Sequence, residues 1–596
     1  MNGKSYYNSG DGKVKAYSVE RNAQIIIALL KANNIRKVIA SPGATNVTFV
    51  GSIQNDPYFD IYSCVDERSA AYMACGLCES TGEPVVLSCT GATSSREYLP
   101  ALSEAFKKNL PILVITSSQP NCRIGHLTAQ VTDRRTTLNE AVLSSFQMVF
   151  IKDKEDEFED TINANKALIL LKKEQKPVHI NLVTHSNKDF SVKVLPKVRK
   201  IEYYTETKVI PEMPKGKIGI FIGAHIKFSK EQTKVIDDFC KLYDVAVFCD
   251  HTSGYYGSFR VQESLILSQQ NWLSQAAGLS LLIHIGEITG DYFCSELMPK
   301  EVWRVSEDGE VRDYFRKLTK VFHMSEIVFF ENYIKRKGNS LSKVFSFAKK
   351  CQEEVTSLMS QIPVLPFGNI WIAQRLSQKL PKNSVIHFGI LNSLRSWNFF
   401  TLPNGVESSC NVGGFGIDGC VSTLIGASLI NPDKIYFGVI GDLAFFYDLN
   451  AFTSGVAKNN VRLLVVNNSR GTEFRLYKHI AAIFGNDADK YMAAAGHNGN
   501  KSLTLLKDLS ANLGINYLSA SSKEEFLSVE EMFISKEPLD KPVILEVFVD
   551  SFDESEAMET ITSFMKDKRL LRKRRVRELL KRVGLYNIIS SLINKK

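Results

Sequence analysis

At 596 residues, with 44% apolar and 23% charged side chains, the chain is globular in composition and too long for one hydrophobic core, which excludes a disordered or fibrous protein. No apolar run reaches membrane-spanning length, and segment 1–17 is polar with no signal-peptide core, so a cytoplasmic protein is expected. The net charge of +9 is unevenly held: residues 566–596 carry twelve Lys/Arg against Asp567 and Glu578, a net +10 that leaves residues 1–565 at −1. A neutral body without a base-stacking motif argues against nucleic acid as a partner.

Residues 18–190 predict a first α/β domain. A helix over Val19–Asn33 leads to strands at Lys37–Ala40, Asp60–Val65, Pro84–Cys89, Pro111–Thr116 and Pro177–Leu182, with a helix over Ser69–Ser80. Alternation of this kind predicts a parallel sheet. The eleven cysteines are scattered through apolar stretches, as in a reduced protein, and Cys75-Gly-Leu-Cys78 reads as packing within a helix rather than a metal or redox pair. Glu67 follows a strand and opens a helix. It either complements the helix dipole or supplies a buried carboxyl whose desolvation favours sharing a proton with a ligand base.

Residues 191–365 read as a linker followed by a central α/β domain, with strands at Lys217–Gly223, Val245–Cys249 and Leu281–Gly286 and no GxGxxG in strand–helix context. A helix over Leu341–Ser360 leads into a third α/β domain, residues 366–550. Its centre is Tyr436–Ile440 closed by Gly441-Asp442, a helical stretch Phe445–Ala457, then Arg462–Val466 closed by Asn467-Asn468. Two parallel strands put both polar endings on the carboxyl edge of the sheet, where open α/β sheets bind ligands. One carboxylate and one amide oxygen there are hard ligands of the kind Mg²⁺ takes; the plainer reading is loop chemistry after buried strands.

The set formed by Val65–Ala71, Pro177–Asn181, Gly416–Gly419, Gly441–Leu443 with Tyr447–Ala451, and Asn467-Asn468 resembles the thiamine diphosphate (ThDP)-dependent decarboxylases and carboligases. The resemblance spans about residues 18–550. It is closest to the branch that serves menaquinone biosynthesis, with acetolactate synthase more distant. It implies three parallel-sheet α/β domains (pyrimidine-binding, central and diphosphate-binding), with residues 551–596 left as a basic amphipathic helical tail. It also implies ThDP and Mg²⁺ as cofactors: Asp442, the Asn468 side chain and the main-chain oxygen of Arg470 would hold the metal, with Ser393, Gly441, Leu443 and Ser469 along the coenzyme. Ile417 would prop the bent coenzyme. Glu67 would reach the aminopyrimidine from a neighbouring subunit, which implies a homodimer or larger homo-oligomer. Gln130 would face the reacting carbon; as a residue of this sequence alone it reads equally as a surface amide. The implied reaction is decarboxylation of a 2-oxo acid, followed by transfer of the acyl unit to an acceptor.

The basic residues of the menaquinone branch are not matched. Ala44-Thr45, Ser118-Gln119-Pro120, Asp291-Tyr292, Trp397 and Val412 stand at the corresponding places, which predicts a site unlike one for 2-oxoglutarate and isochorismate; Arg395 and Arg475 are the residues that could substitute. The alternatives are the menaquinone-branch activity with a rearranged site, and a silent scaffold that binds partners through its tail. In the tail, Leu570, Leu571, Val576, Leu579, Leu580 and Val583 recur at near-helical spacing among the basic residues. This suits either peripheral contact with an anionic membrane through residues 566–596 or docking on the body.

Overall fold

The computed structural model describes residues 16–567 except 92, 134, 136–139, 339–345, 497–501 and 538. Of the expected basic tail, 551–596, residues 568–596 lie outside the described residues; before them, helix Ser551–Ser563 is acidic rather than basic and buries Glu554, Ala557 and Ile561. The start of the expected helix at Leu341 also lies outside the described residues, and that helix is seen from Phe347 to Met359. The chain packs as two compact units, one running to Tyr204 and including Glu310–Val321, the other made of Thr205–Gly309 and the chain from Phe322 onward.

The first unit is built on a six-stranded parallel sheet in the order Asp60–Ser63, Lys37–Ala40, Val85–Thr90, Ile112–Ser118, Val178–Val183, Ser145–Met148. Its central strands are buried along their whole length, as apolar runs covered by helices on both faces must be. Helix Arg21–Ala32 packs its Ile and Leu residues on one face. Helix Glu67–Thr81 packs Ala70, Ala71, Ala74, Cys75 and Cys78 on the other. Those two cysteines are free and inward-facing, and burial pushes their thiols up to about 11 and about 12, as the packing reading requires. Segment Glu310–Val321 joins this unit through Arg199–Asp313 at 2.6 Å and through Arg316, which pairs with Glu155 and lies over the Phe158 ring.

In the second unit, parallel strands Arg260–Gln262, Val245–Cys249, Ile218–Ile222, Leu281–Ile285 and Val302–Ser306 lie side by side in that order. The remaining sheet has the order Glu407–Cys410, Val385–Phe388, Tyr436–Gly441, Val461–Asn467, Val543–Phe548, Asn516–Ala520, again all parallel. Numbered within each sheet, it and the first unit's sheet share the order 2-1-3-4-6-5. That order reverses direction between strands 1 and 3, and a reversal opens a crevice at the strands' carboxyl ends. No helix among the described residues is long and apolar enough to cross a membrane.

Candidate active site

The crevice of the second unit opens where Val385–Phe388 and Tyr436–Gly441 end. Gly441 is extended (φ −76°, ψ 156°) and turns the buried strand directly into a short helix, Asp442–Tyr447. The helix expected over Phe445–Ala457 is broken after Tyr447 and resumes at Asn450–Thr453, because the Asp448 carboxylate turns away to accept bonds from the Ser422 N–H and hydroxyl, both at 2.6 Å.

Asp442 is 1% exposed, and its Oδ2 has no hydrogen-bond partner among the described residues. Burial pushes its carboxyl up to about 7, the nearby Glu554 charge adds to the shift, and the N–H groups of Leu443 and Asn468 oppose it. A buried, half-bare carboxylate of this kind either keeps a proton or takes a cation. The two asparagines after Val466 divide their work. Asn467 is buried, donating to Glu546 at 2.7 Å and accepting from the Ser469 N–H at 3.1 Å. Asn468 donates its Nδ2 to Glu554 at 2.7 Å, while its Oδ1 meets only the Arg470 N–H, at 3.4 Å. Ser469 takes the left-handed conformation between them (φ 61°), which turns Arg470 back toward the cleft.

One cleft is lined by Ser393, Ile417, Gly441, Asp442, Leu443, Asn468 and Arg470, so the structure brings together seven of the ten residues singled out in the sequence. Ser469 shapes the turn without lining the cleft. Ile417 is half-buried against the core cluster that contains Cys420, Leu424 and Phe445. The arrangement fits Mg²⁺ and a diphosphate: one carboxylate oxygen without a partner, one weakly engaged amide oxygen, and main-chain oxygen nearby at a bend. Among the described residues no three His, Cys, Asp or Glu side chains converge to hold a metal on their own.

Glu67 and Gln130 belong to the first unit. Glu67 opens its helix, with Asp66 capping at the Ser69 N–H, 3.1 Å. It is half-buried rather than buried, because the edge strand before it is largely exposed and Tyr62, Val65, Tyr72 and Met73 around it are 44–79% exposed. Gln130 is exposed, with φ 62°.

The basic side chains expected to substitute in substrate binding are occupied. Arg395 is 5% exposed, pairs with Glu473 at 2.5 Å and stacks on Tyr292, its guanidinium carbon 3.4 Å from the ring centroid. Arg475 pairs with Asp489 at 3.4 Å. Asp291 is buried, held by the Ser264 hydroxyl and the Phe293 N–H, with burial pushing its carboxyl up to about 6. Trp397 and Val412 are core residues, and Thr45 donates to the Ser117 carbonyl at 2.6 Å. Three contributors escaped the sequence reading: Glu554, which holds Asn468; Asn369, whose N–H meets Glu554 at 3.3 Å; and Glu473, which holds Arg395. No spacing signal marks them, since each meets its partner across at least 78 residues of chain.

Residues 21–139 match the family model described as "Thiamine pyrophosphate enzyme, N-terminal TPP binding domain". The chain is a relative of the thiamine diphosphate-dependent enzymes. Its curated relatives include proteins named 2-succinyl-5-enolpyruvyl-6-hydroxy-3-cyclohexene-1-carboxylate synthase. That of Bacteroides thetaiotaomicron is 28% identical over 554 residues, covering 89% of this chain and 96% of the relative. That of Phocaeicola vulgatus is 27% identical, covering 90% and 96%, and that of Flavobacterium johnsoniae is 26% identical, covering 89% and 96%. Both the match in the first unit and the parallel-sheet architecture agree with likeness to the thiamine diphosphate enzymes.

Proposed function

We propose that this protein is a ThDP- and Mg²⁺-dependent enzyme that removes CO₂ from a 2-oxo acid and joins the remaining acyl unit to an acceptor. The observation that carries the reading is the buried, half-bare Asp442 carboxylate beside Asn468 at the sheet's crevice. When bound, ThDP supplies the nucleophilic carbon and the electron sink for loss of CO₂. Asp442, the Asn468 amide oxygen and the Arg470 carbonyl would hold Mg²⁺ against the diphosphate, while Ser393, Gly441 and Leu443 line its bed. Ile417 would hold the coenzyme bent, and Glu67 would hold a proton at the pyrimidine nitrogen. Gln130 would donate to a substrate oxygen. The exposed apolar side chains around Glu67 suit burial against a second copy of the chain, supporting a homo-oligomer whose sites lie at the subunit interface.

Two observations bear on the substrate. Similarity along nearly the whole length of the named synthases favours their reaction, with 2-oxoglutarate as donor and isochorismate as acceptor. The engagement of Arg395 by Glu473 and Tyr292 neutralises that cation and favours a donor with fewer carboxylates, whereas Arg475 shares Asp489 with Arg470, which lies closer to it at 2.9 Å. Mass spectrometry of the product formed from 2-oxoglutarate and isochorismate with ThDP and Mg²⁺ decides between them. The named carboxylate product would establish the first reading, and its absence alongside turnover of another 2-oxo acid the second. The basic tail adds a peripheral contact with anionic membrane.

A further inference from the structure

We propose that Glu554 is the positioning residue of the metal site, selecting which end of the Asn468 amide faces the cleft. This rests on the reading of Asp442 and Asn468 as metal ligands. A primary amide has two ends of nearly equal size, and only its oxygen can bind a cation; the NH₂ end repels one. Something must therefore distinguish the two. The Arg470 N–H, 3.4 Å from Oδ1, is too distant to do so alone. Glu554 does it firmly: its Oε2 accepts from Nδ2 at 2.7 Å while its Oε1 is taken by the Asn369 N–H, so acceptor oxygen faces the amide, which admits the NH₂ end and rejects the oxygen. Glu554 is itself fixed. It is 6% exposed, its Oε1 accepts from the Asn369 N–H at 3.3 Å, and it sits in the first turns of helix Ser551–Ser563. That helix begins three residues after strand Val543–Phe548, which pairs with the strand leading to Asn468, and the Asp550 carboxylate caps it at the Phe552 N–H, 2.7 Å. The helix after the last strand is thus tied through Glu554 to two residues of the cleft, Asn468 and Asn369, and Glu554 touches neither metal nor substrate in this role. Partners that orient metal ligands typically contribute 10–100-fold to metal affinity.

The test is a calorimetric Mg²⁺ titration of the full-length protein at saturating ThDP, with folding followed by circular dichroism. Glu554→Gln presents an amide that can meet either end of Asn468, and Mg²⁺ affinity should fall 10–100-fold. Asn468→Asp supplies two equivalent oxygens that need no orienting, so Glu554→Gln should cost little in that background, where the added charge is common to both proteins and a purely structural role of Glu554 would still show its full loss. An unchanged affinity in Glu554→Gln, or the same 10–100-fold loss in both backgrounds, would overturn the proposal. Should Glu554→Gln not fold, Glu554→Asp keeps the charge but withdraws it by one methylene; a loss of affinity is expected, and none would overturn the proposal. Wild-type protein that binds ThDP without any Mg²⁺ dependence would refute the ligand reading itself, a failure distinct from that of Glu554.

Discussion

Asp160, on helix Lys154–Glu174 of the first unit, offers a pH test of how that unit is held together. It is fully buried; its Oδ1 accepts from the Val149 N–H at 2.8 Å, and its Oδ2 has no partner among the described residues. Burial, reinforced by Glu159 and Asp156, pushes its carboxyl up from 3.8 to about 8, against the opposing Val149 N–H. Between those values the folded state keeps a proton that the unfolded state releases. Stability from this group is therefore complete below about pH 4 and is lost as pH rises through 8, at up to about 1.4 kcal/mol per pH unit. Four units would give about 6 kcal/mol, and relaxation around a buried charge brings the expected loss to roughly 2–4 kcal/mol. Asp160→Asn keeps the Val149 bond and removes the titration, but its NH₂ replaces Oδ2 without an acceptor, costing about 1–3 kcal/mol at all pH values. The variant should unfold below the wild type at pH 5 and close the gap or overtake it at pH 8.5. The relative change is roughly 5–10 °C in the midpoint of the transition involving this unit, measured by differential scanning calorimetry. A wild-type-to-variant difference that stays constant between pH 5 and 8.5 would refute the reasoning.

Glu67→Gln should leave ThDP affinity within a few-fold of wild type while lowering turnover at least about 100-fold, in line with loss of a general acid–base group; wild-type turnover would remove Glu67 from the chemistry. Asp442→Ala should weaken Mg²⁺-dependent ThDP binding by at least about 100-fold in calorimetry, since it removes the site's one charged ligand, and wild-type affinity would refute the metal assignment. Deleting residues 566–596 should preserve activity and lower sedimentation with anionic liposomes, about 1 kcal/mol being lost per basic residue near the surface; equal sedimentation would refute membrane contact through the tail.

Strands that are buried on both faces were legible as continuous apolar runs. Tyr436–Gly441, Val461–Asn467 and Ile218–Ile222 fall within a residue or two of where the sequence puts them. Two edge strands were not: Ser145–Met148 reads Ser-Phe-Gln-Met and Glu407–Cys410 reads Glu-Ser-Ser-Cys, half-wet segments with no apolar run to mark them, whereas the edge strand Asp60–Ser63 was read from its sequence. In the site, Asp442 and Asn468 stood out because a polar residue closing a buried strand has a fixed place on the sheet edge. Glu554 could not be found this way. It is one of several acids in Asp550–Glu559, and only tertiary packing sets it apart from Glu556 and Glu559, which face solvent. Glu67 shows the converse limit. An apolar strand before it suggested burial, but that strand lies at the edge of the sheet and leaves the carboxyl half-exposed in the single chain.

The central claim is tested most directly by measuring CO₂ release from a panel of 2-oxo acids, including pyruvate, 2-oxoglutarate and longer and aromatic members, with ThDP and Mg²⁺ together and with each omitted. Release from at least one acid that requires both cofactors is the expected result. Release that persists without them, or none from any acid with acceptors supplied and ThDP bound, would contradict it.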